Sequence, residues 1–264
     1  MNQKTIQKIV ITYPSGNTTA VIFDDFGQQD REKLNASILE TWQARFPDKS
    51  PIEQCCFVSQ AADPKVLGRV EMFGDELCGN AIRSAVWLLA DGKDSSGLIE
   101  ASGCDELLKY KIVDGIVSLE MPEFITTETE KGLAVTFKGI TQLVISTGST
   151  HAVLKQILES GYLSLNERPA LGVSSYNERT KQALFSVWVN NVNTIFDETA
   201  CGSGTAAIGI AEATNAKRSQ NLQIIQPSNE PINVKVEIDN DGKAKGAEIS
   251  GPISVLYSGM MELL

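Results

Sequence analysis

Two cysteines of this 264-residue sequence stand in nearly the same setting. Cys78 lies in "DELCGNAIRSAVWLLA" (75–90) and Cys201 in "DETACGSGTAAIGIAEA" (197–213). Acidic residues precede each cysteine, glycine and a small polar residue follow, and an apolar stretch of helical spacing comes next. A cysteine at a helix start feels the positive end of the helix dipole, so its thiol is expected to fall toward neutrality. The amides of Gly79 and Asn80, and of Gly202 and Ser203, are then free to hold an anion, and glycine lets that anion come close. If two such ends face each other, one cysteine takes a proton from a carbon while the other returns one to the opposite face. A carboxylate on that carbon would rest on the shared amides, which also stabilise the enolate-like charge. The carbon is inverted and no cofactor is required. One cysteine before a buried helix is ordinarily a small core residue; repetition of the whole setting favours the chemistry.

The remaining cysteines, Cys55, Cys56 and Cys104, read as packing residues, the first two alternating across a strand. An odd cysteine count does not suggest a disulfide framework, and one histidine without a C-x-x-C pair does not suggest a metal site. The chain is 42% hydrophobic and 21% charged with a net charge of −10. That balance argues against nucleic acid and anionic membrane as partners. No apolar run approaches a membrane span and the N-terminus lacks a signal-peptide core, so a cytoplasmic location is expected.

Short runs rich in β-branched residues, bounded by Gly, Pro, Asn and Asp, predict strands at 8–13, 19–24, 55–60, 107–113, 115–121, 142–147, 184–190, 222–227, 232–238 and 253–259. Helical patterns occupy 30–46 and 152–162, and each cysteine leads a further helix. Apolar residues surround most of the helix after Cys78, which predicts that it is buried. Both halves give strands, a helix, strands, then a cysteine-led helix and strands. We read a duplicated α+β unit, with its boundary in the polar stretch "MPEFITTETEKG" (121–132).

Taken together, "CGNA" and "ACGSGTAA" resemble the paired signatures of diaminopimelate epimerase and its relatives, the pyridoxal-independent amino-acid racemases. Weaker elements follow in the family's order: "PSGNTT", "EQCCFV", "GSTHAV" and the closing "ISGPISVLYSG". The resemblance implies an α+β fold of two pseudo-symmetric domains, each a curved mixed sheet or barrel around a central helix, with the active site between them. The implied domains are 1–122 plus 253–264, carrying Cys78, and 123–252, carrying Cys201. It implies a small-molecule amino-acid substrate, no cofactor, and Cys78 and Cys201 as the two bases. Asn17, Gln54, Gly79, Asn80, His151, Gly202 and Ser203 would bind substrate. A homodimer is compatible with it.

The departures concern substrate. Diaminopimelate carries a second amino-acid end, which the family epimerase clamps with two asparagines and a Glu-Arg pair. Met72, Ala170, Val192 and Asn193 stand at those places here, and no arginine remains to fork a distal carboxylate. The "PSGN", "SGC" (102–104) and "CGSGTA" elements instead resemble histidine racemases, and Glu53 is placed to accept from an imidazole N–H. The expected activity is therefore isomerisation of a free amino acid, histidine above others. Diaminopimelate epimerisation is the alternative, and a ligand-binding module without turnover is the alternative of another class.

Overall fold

The computed structural model describes residues 5–24, 26–161 and 169–264; Tyr162, the last residue of one expected helix, lies outside them. In the first half, Thr5–Tyr13 (β1) turns back on Thr19–Ile22 (β2). The helix Gln28–Arg45 (α1) then crosses over to Gln54–Ser59 (β3), parallel to β2. Strand β3 pairs antiparallel with Arg69–Met72 (β4), and the helix Gly79–Leu89 (α2) crosses over to Ser95–Ala101 (β5), parallel to β4. Leu108–Val113 (β6) and Ile116–Glu120 (β7) continue as an antiparallel meander.

The second half repeats this order of pairings. Gly132–Phe137 (β9) pairs antiparallel with Ile140–Ile145 (β10). The helix Thr150–Ser160 (α3) leads to Ala170–Asn177 (β11), parallel to β10 and antiparallel to Gln182–Val189 (β12). After the short strand Thr194–Asp197 (β13), the helix Gly202–Ala216 (α4) leads to Gln220–Ile225 (β14), which meets β12 in parallel. Pro231–Ile238 (β15) and Ala244–Pro252 (β16) form the second meander. The halves are joined where β16 pairs with β7. Each half also carries an added edge: Ile125–Thr129 (β8) on β9, and Ser254–Glu262 (β17), from the far end of the sequence, on β1.

The result is a mixed α+β protein, mostly sheet, with four helices among the described residues. Burial explains the sequence patterns. In β6 the apolar Leu108, Tyr110 and Ile112 face inward and the alternate positions are exposed, the period of a half-buried strand. In β1 and β2 both faces are covered, so Ile9, Val10, Ile11 and Thr19–Ile22 are all buried. The outer helix α1 buries Leu34, Ile38 and Trp42, one face at helical spacing, and Trp42 packs against Tyr257 of β17. The inner helices are enclosed. Helix α2 lies against β2, β3, β4 and β7, and α4 against β9, β10, β11, β14, β15 and β16. Small residues let α4 sink that far, and Gly202–Ala211 are all buried.

The expected strands are incomplete. The polar stretch 121–132 holds β8, an edge strand paired on one side only, whose exposed residues are polar apart from Ile125. Strands β4, β5, β9, β11, β13 and β16 lie outside the expected runs. In β16, "AKGAEISGP", glycines and a proline mask a strand that tertiary pairing holds on both sides.

The halves also approach backbone to backbone. A Cβ on Gly139, in the turn between β9 and β10, would lie 2.4 Å from Gly103 Cα and 2.7 Å from Leu77 N. Backbone atoms cannot yield as a side-chain tip can. Gly139→Ala should therefore cost at least ~1–3 kcal/mol by overpacking, read as a lower denaturant midpoint with an unchanged slope.

Candidate active site

Cys78 is the N-cap of α2 and Cys201 the N-cap of α4. Each residue has an extended backbone, and its sulfur accepts from the amide three residues on, Ala81 N at 3.5 Å and Gly204 N at 3.3 Å. The two helix starts meet head to head over Ile249. A Cβ on Gly202 would lie 3.2 Å from both Gly79 Cα and Asn80 N, and one on Gly79 would lie 2.7 Å from Ile249 Cδ1. Glycine is what permits this approach. Asn80 bridges the junction, its Nδ2 donating to Ala200 O at 3.3 Å.

Both thiols line one cavity of about 510 Å³, with Asn17, Glu53, Gln54, Gly79, Asn80, Gly202 and Ser203 in the same wall. The structure thus brings together every site residue expected from the sequence except His151. That ring is half exposed and outside the cavity lining. Its Nδ1 lies 3.0 Å from Asp197, a residue that does line the cavity. Glu53 lines the cavity too, but both its oxygens are engaged. One accepts from Thr199 N at 3.1 Å and the other from the Thr199 hydroxyl. Thr199 Oγ1 also accepts from Asn17 N at 2.7 Å, and Ser228 Oγ donates to Ser15 O at 2.7 Å. These contacts clasp the loop after β1 to the approach of α4.

A glutamine attends each thiol. The Cys78 thiol donates to Gln54 Oε1 at 3.0 Å, and Gln54 Nε2 donates to Thr19 Oγ1 at 2.9 Å. Gln142, on β10, donates to Ser203 Oγ at 3.0 Å and to Cys201 Sγ at 3.6 Å, while Ser174 donates to its Oε1 at 3.0 Å. Sequence reasoning found Gln54 but missed Gln142. The available signal was a glutamine inside an otherwise apolar strand, where an unpaired amide is costly.

Glu76 and Glu198 were also missed as cavity residues, although both stand among the acids just ahead of the cysteines. Burial raises Glu76 to about 7 and Glu198 to about 8. Burial likewise pushes the Cys78 thiol up to about 12 and the Cys201 thiol well above its ordinary value, with the Glu198 carboxylate adding to both. The amides at each helix start act in the expected direction, but desolvation outweighs them. The expectation of thiols near neutrality is thus corrected for the ligand-free protein. One cation stands behind this acidic cavity: Arg83, fully buried on α2, which burial lowers to about 10. It donates to Asn80 Oδ1 at 3.2 Å, Val117 O at 3.3 Å and Pro252 O at 3.4 Å.

The far wall is apolar, formed by Phe73, Ile140, Val187, Val189 and Ile195, and no lysine or arginine lines the cavity among the described residues. Met72 and Ala170 are buried in strands outside the lining, and Asn193 accepts from Trp188 Nε1; the side chain of Val192 lies outside what the structure describes.

Solved structures of the same fold include a probable proline racemase, epimerases and PhzF-family phenazine biosynthesis proteins. One, described as a predicted epimerase from Pseudomonas aeruginosa, aligns with a TM-score of 0.64 at 15% identity, covering 98% of this chain and 99% of that one. A hydroxyproline epimerase from Agrobacterium vitis, with bound trans-4-hydroxy-L-proline, aligns with a TM-score of 0.62 at 12% identity, covering 98% and 92%. At such identities the likeness establishes the fold alone, one that these epimerases share. The sequence narrows it further: the chain belongs to the family described as "Histidine racemase CntK N-terminal domain", whose profile matches residues 8–261. A histidine racemase from Fusobacterium nucleatum subsp. nucleatum is 27% identical over 271 aligned positions, 93% of each chain.

The raised carboxyls have a consequence for stability. Glu76 and Glu198 bind protons more tightly folded than at the ordinary value of 4.5, so their contribution is fully present below about 4.5 and is lost as pH rises toward 8. The ligand-free protein should lose on the order of 5 °C in Tm between pH 5.5 and 8.5, and Glu198→Gln should flatten that slope in a thermal scan.

Proposed function

We propose that the protein is a cofactor-independent racemase of a free amino acid, with histidine the preferred substrate. The observation that carries the reading is the pair of cysteine-capped helix starts meeting in one cavity. The substrate carboxylate would rest on the amides of Gly79, Asn80, Gly202 and Ser203, where two helix dipoles add. One sulfur, as thiolate, takes the α-proton; the C–H electron pair moves onto the α-carbon and its carboxylate. The other thiol then gives its proton to the opposite face. At the end the two sulfurs have exchanged roles, and the reverse reaction starts from the product.

Ionising a thiol this buried is costly until substrate arrives. The incoming ammonium offsets the Glu198 charge that raises both thiols, so binding itself favours the thiolate. Gln54 and Gln142 hold the sulfurs, and Asn17 bounds the substrate space. His151 would act at one remove, by orienting Asp197. The fold is read as two pseudo-symmetric domains, 1–122 plus 253–264 and 123–252. The recurring pairing order supports this reading.

Histidine over diaminopimelate rests on the distal wall. A second carboxylate entering that apolar wall meets no cation and stays unpaired. The family profile and the curated relatives point the same way. Neither feature favours a binding module, because nothing in a passive site calls for two thiols.

Two measurements decide. Cys78→Ala and Cys201→Ala should each abolish inversion, followed by polarimetry or chiral chromatography, since a base is needed on both faces; near-normal racemisation by either would remove the two-base mechanism. In α-proton exchange in D2O, L-histidine should exceed diaminopimelate in kcat/KM by at least ~10-fold, about 1.4 kcal/mol of transition-state binding. A preference for diaminopimelate would restore the epimerase reading.

A further inference from the structure

The Glu76 carboxyl is 7% exposed and lines the cavity, and its Oε2 has no hydrogen-bond partner. An asparagine in the same wall can turn its amide to change what it offers, whereas an ionised carboxylate offers acceptors alone. A buried acceptor left without a donor costs free energy unless a ligand supplies the donor. The position of Oε2 indicates which part of a ligand that is. A Cβ placed on Gly74 would lie 2.6 Å from Glu76 Oε2 and 3.1 Å from Val189 Cγ1. The oxygen therefore sits near Val189, one of the apolar residues of the lining. Apolar faces with an acceptor at their edge suit a flat ring that has a polar N–H on its rim.

Glu53, the residue expected to meet an imidazole, is less available, since Thr199 occupies both its oxygens. Two further acceptors line the same cavity without partners, Asn17 Oδ1 and Asn35 Oδ1. Either amide can turn to meet a ligand, whereas an ionised Glu76 can only accept.

We infer that Glu76 is the specificity-determining residue of this site, accepting the ring N–H of an imidazole side chain. The inference rests on the racemase reading above and adds the group that selects the substrate. An apolar isostere of the ring, such as phenylalanine, fills the same wall but leaves Oε2 unpaired, and sites built to pair a donor reject such analogues.

The test is calorimetric binding of L-histidine and L-phenylalanine to Cys78→Ala protein, which removes turnover, with and without Glu76→Gln. Glu76→Gln should weaken L-histidine by at least ~10-fold while leaving L-phenylalanine unchanged or tighter. Glu76→Asp keeps the acid one methylene further back and should retain part of the histidine affinity; circular dichroism verifies that each variant is folded. Equal losses for both ligands would place Glu76 on the amino-acid end common to them, and no loss would remove it from recognition; either result overturns the assignment. The two readings fail separately. If the wild type exchanges the α-proton of another amino acid but not of histidine, the proposed substrate falls, and the imidazole contact with it. If it racemises histidine and Glu76→Gln does so with the same kcat/KM, only Glu76 falls.

Discussion

Two helix N-termini are brought nose to nose, and the rest of the molecule is arranged around that contact. Partial positive charges at the starts of α2 and α4 repel each other, and a Cβ where Gly79 meets Gly202 would press on Ile249 and on the facing backbone. Such an arrangement persists only if the surrounding structure imposes it. The surrounding strands do so by enclosing each helix, and Ile249 of β16 lies under both starts. Asn80 ties one helix to the loop that leads into the other, and Arg83 anchors Asn80 in turn. Repulsion built in this way would be relieved by an anion, which on the proposed reading is the substrate carboxylate.

Burial sets the chemistry of the site in a manner that helix dipoles alone do not predict. Each sulfur has its helix amide and its glutamine, yet desolvation still drives both thiols upward, together with Glu76 and Glu198. A cavity holding several acids and two thiols, with one buried arginine behind it, is poorly solvated while empty. On the proposed reading, a zwitterion with a polar ring would supply the charges it lacks. Stability and recognition therefore pull in opposite directions on the same side chains, the usual condition of a functional site.

The parts of this design that were legible in the sequence were those with local signatures. The Cys-Gly-polar starts of α2 and α4 were plain because capping and helical spacing are read within one turn. The strands around β1, β3, β6 and β15 were plain because β-branched runs announce themselves. Gln142 was not, since its partner Ser203 is far away in sequence and nothing beside it signals a polar task. Glu76 and Glu198 were visible as acids but not as buried ones; only the closure of the two halves removes them from water. Glu53 could be placed at the cavity, whereas its engagement by Thr199 depends on a clasp between distant loops. Strand β16 was hidden because its glycines and proline speak against a strand locally, and only its two neighbours hold it in place.

The pairing of β1 with β17 bears on how the molecule comes into being. Thr5 lies opposite Glu262, whereas β8 meets β9 across a tight turn. The entropy of closing a loop rises with its length, and long-range pairings form late and slowly. The second half can thus assemble from near neighbours, while the first waits with one edge open until a strand from the far end of the sequence arrives. Until that moment β1 presents unpaired amides and carbonyls on that edge, the kind of edge that invites pairing between chains. The same strand that completes the sheet around Cys78 is therefore the one whose late arrival sets the window in which the folding chain is exposed to misassembly.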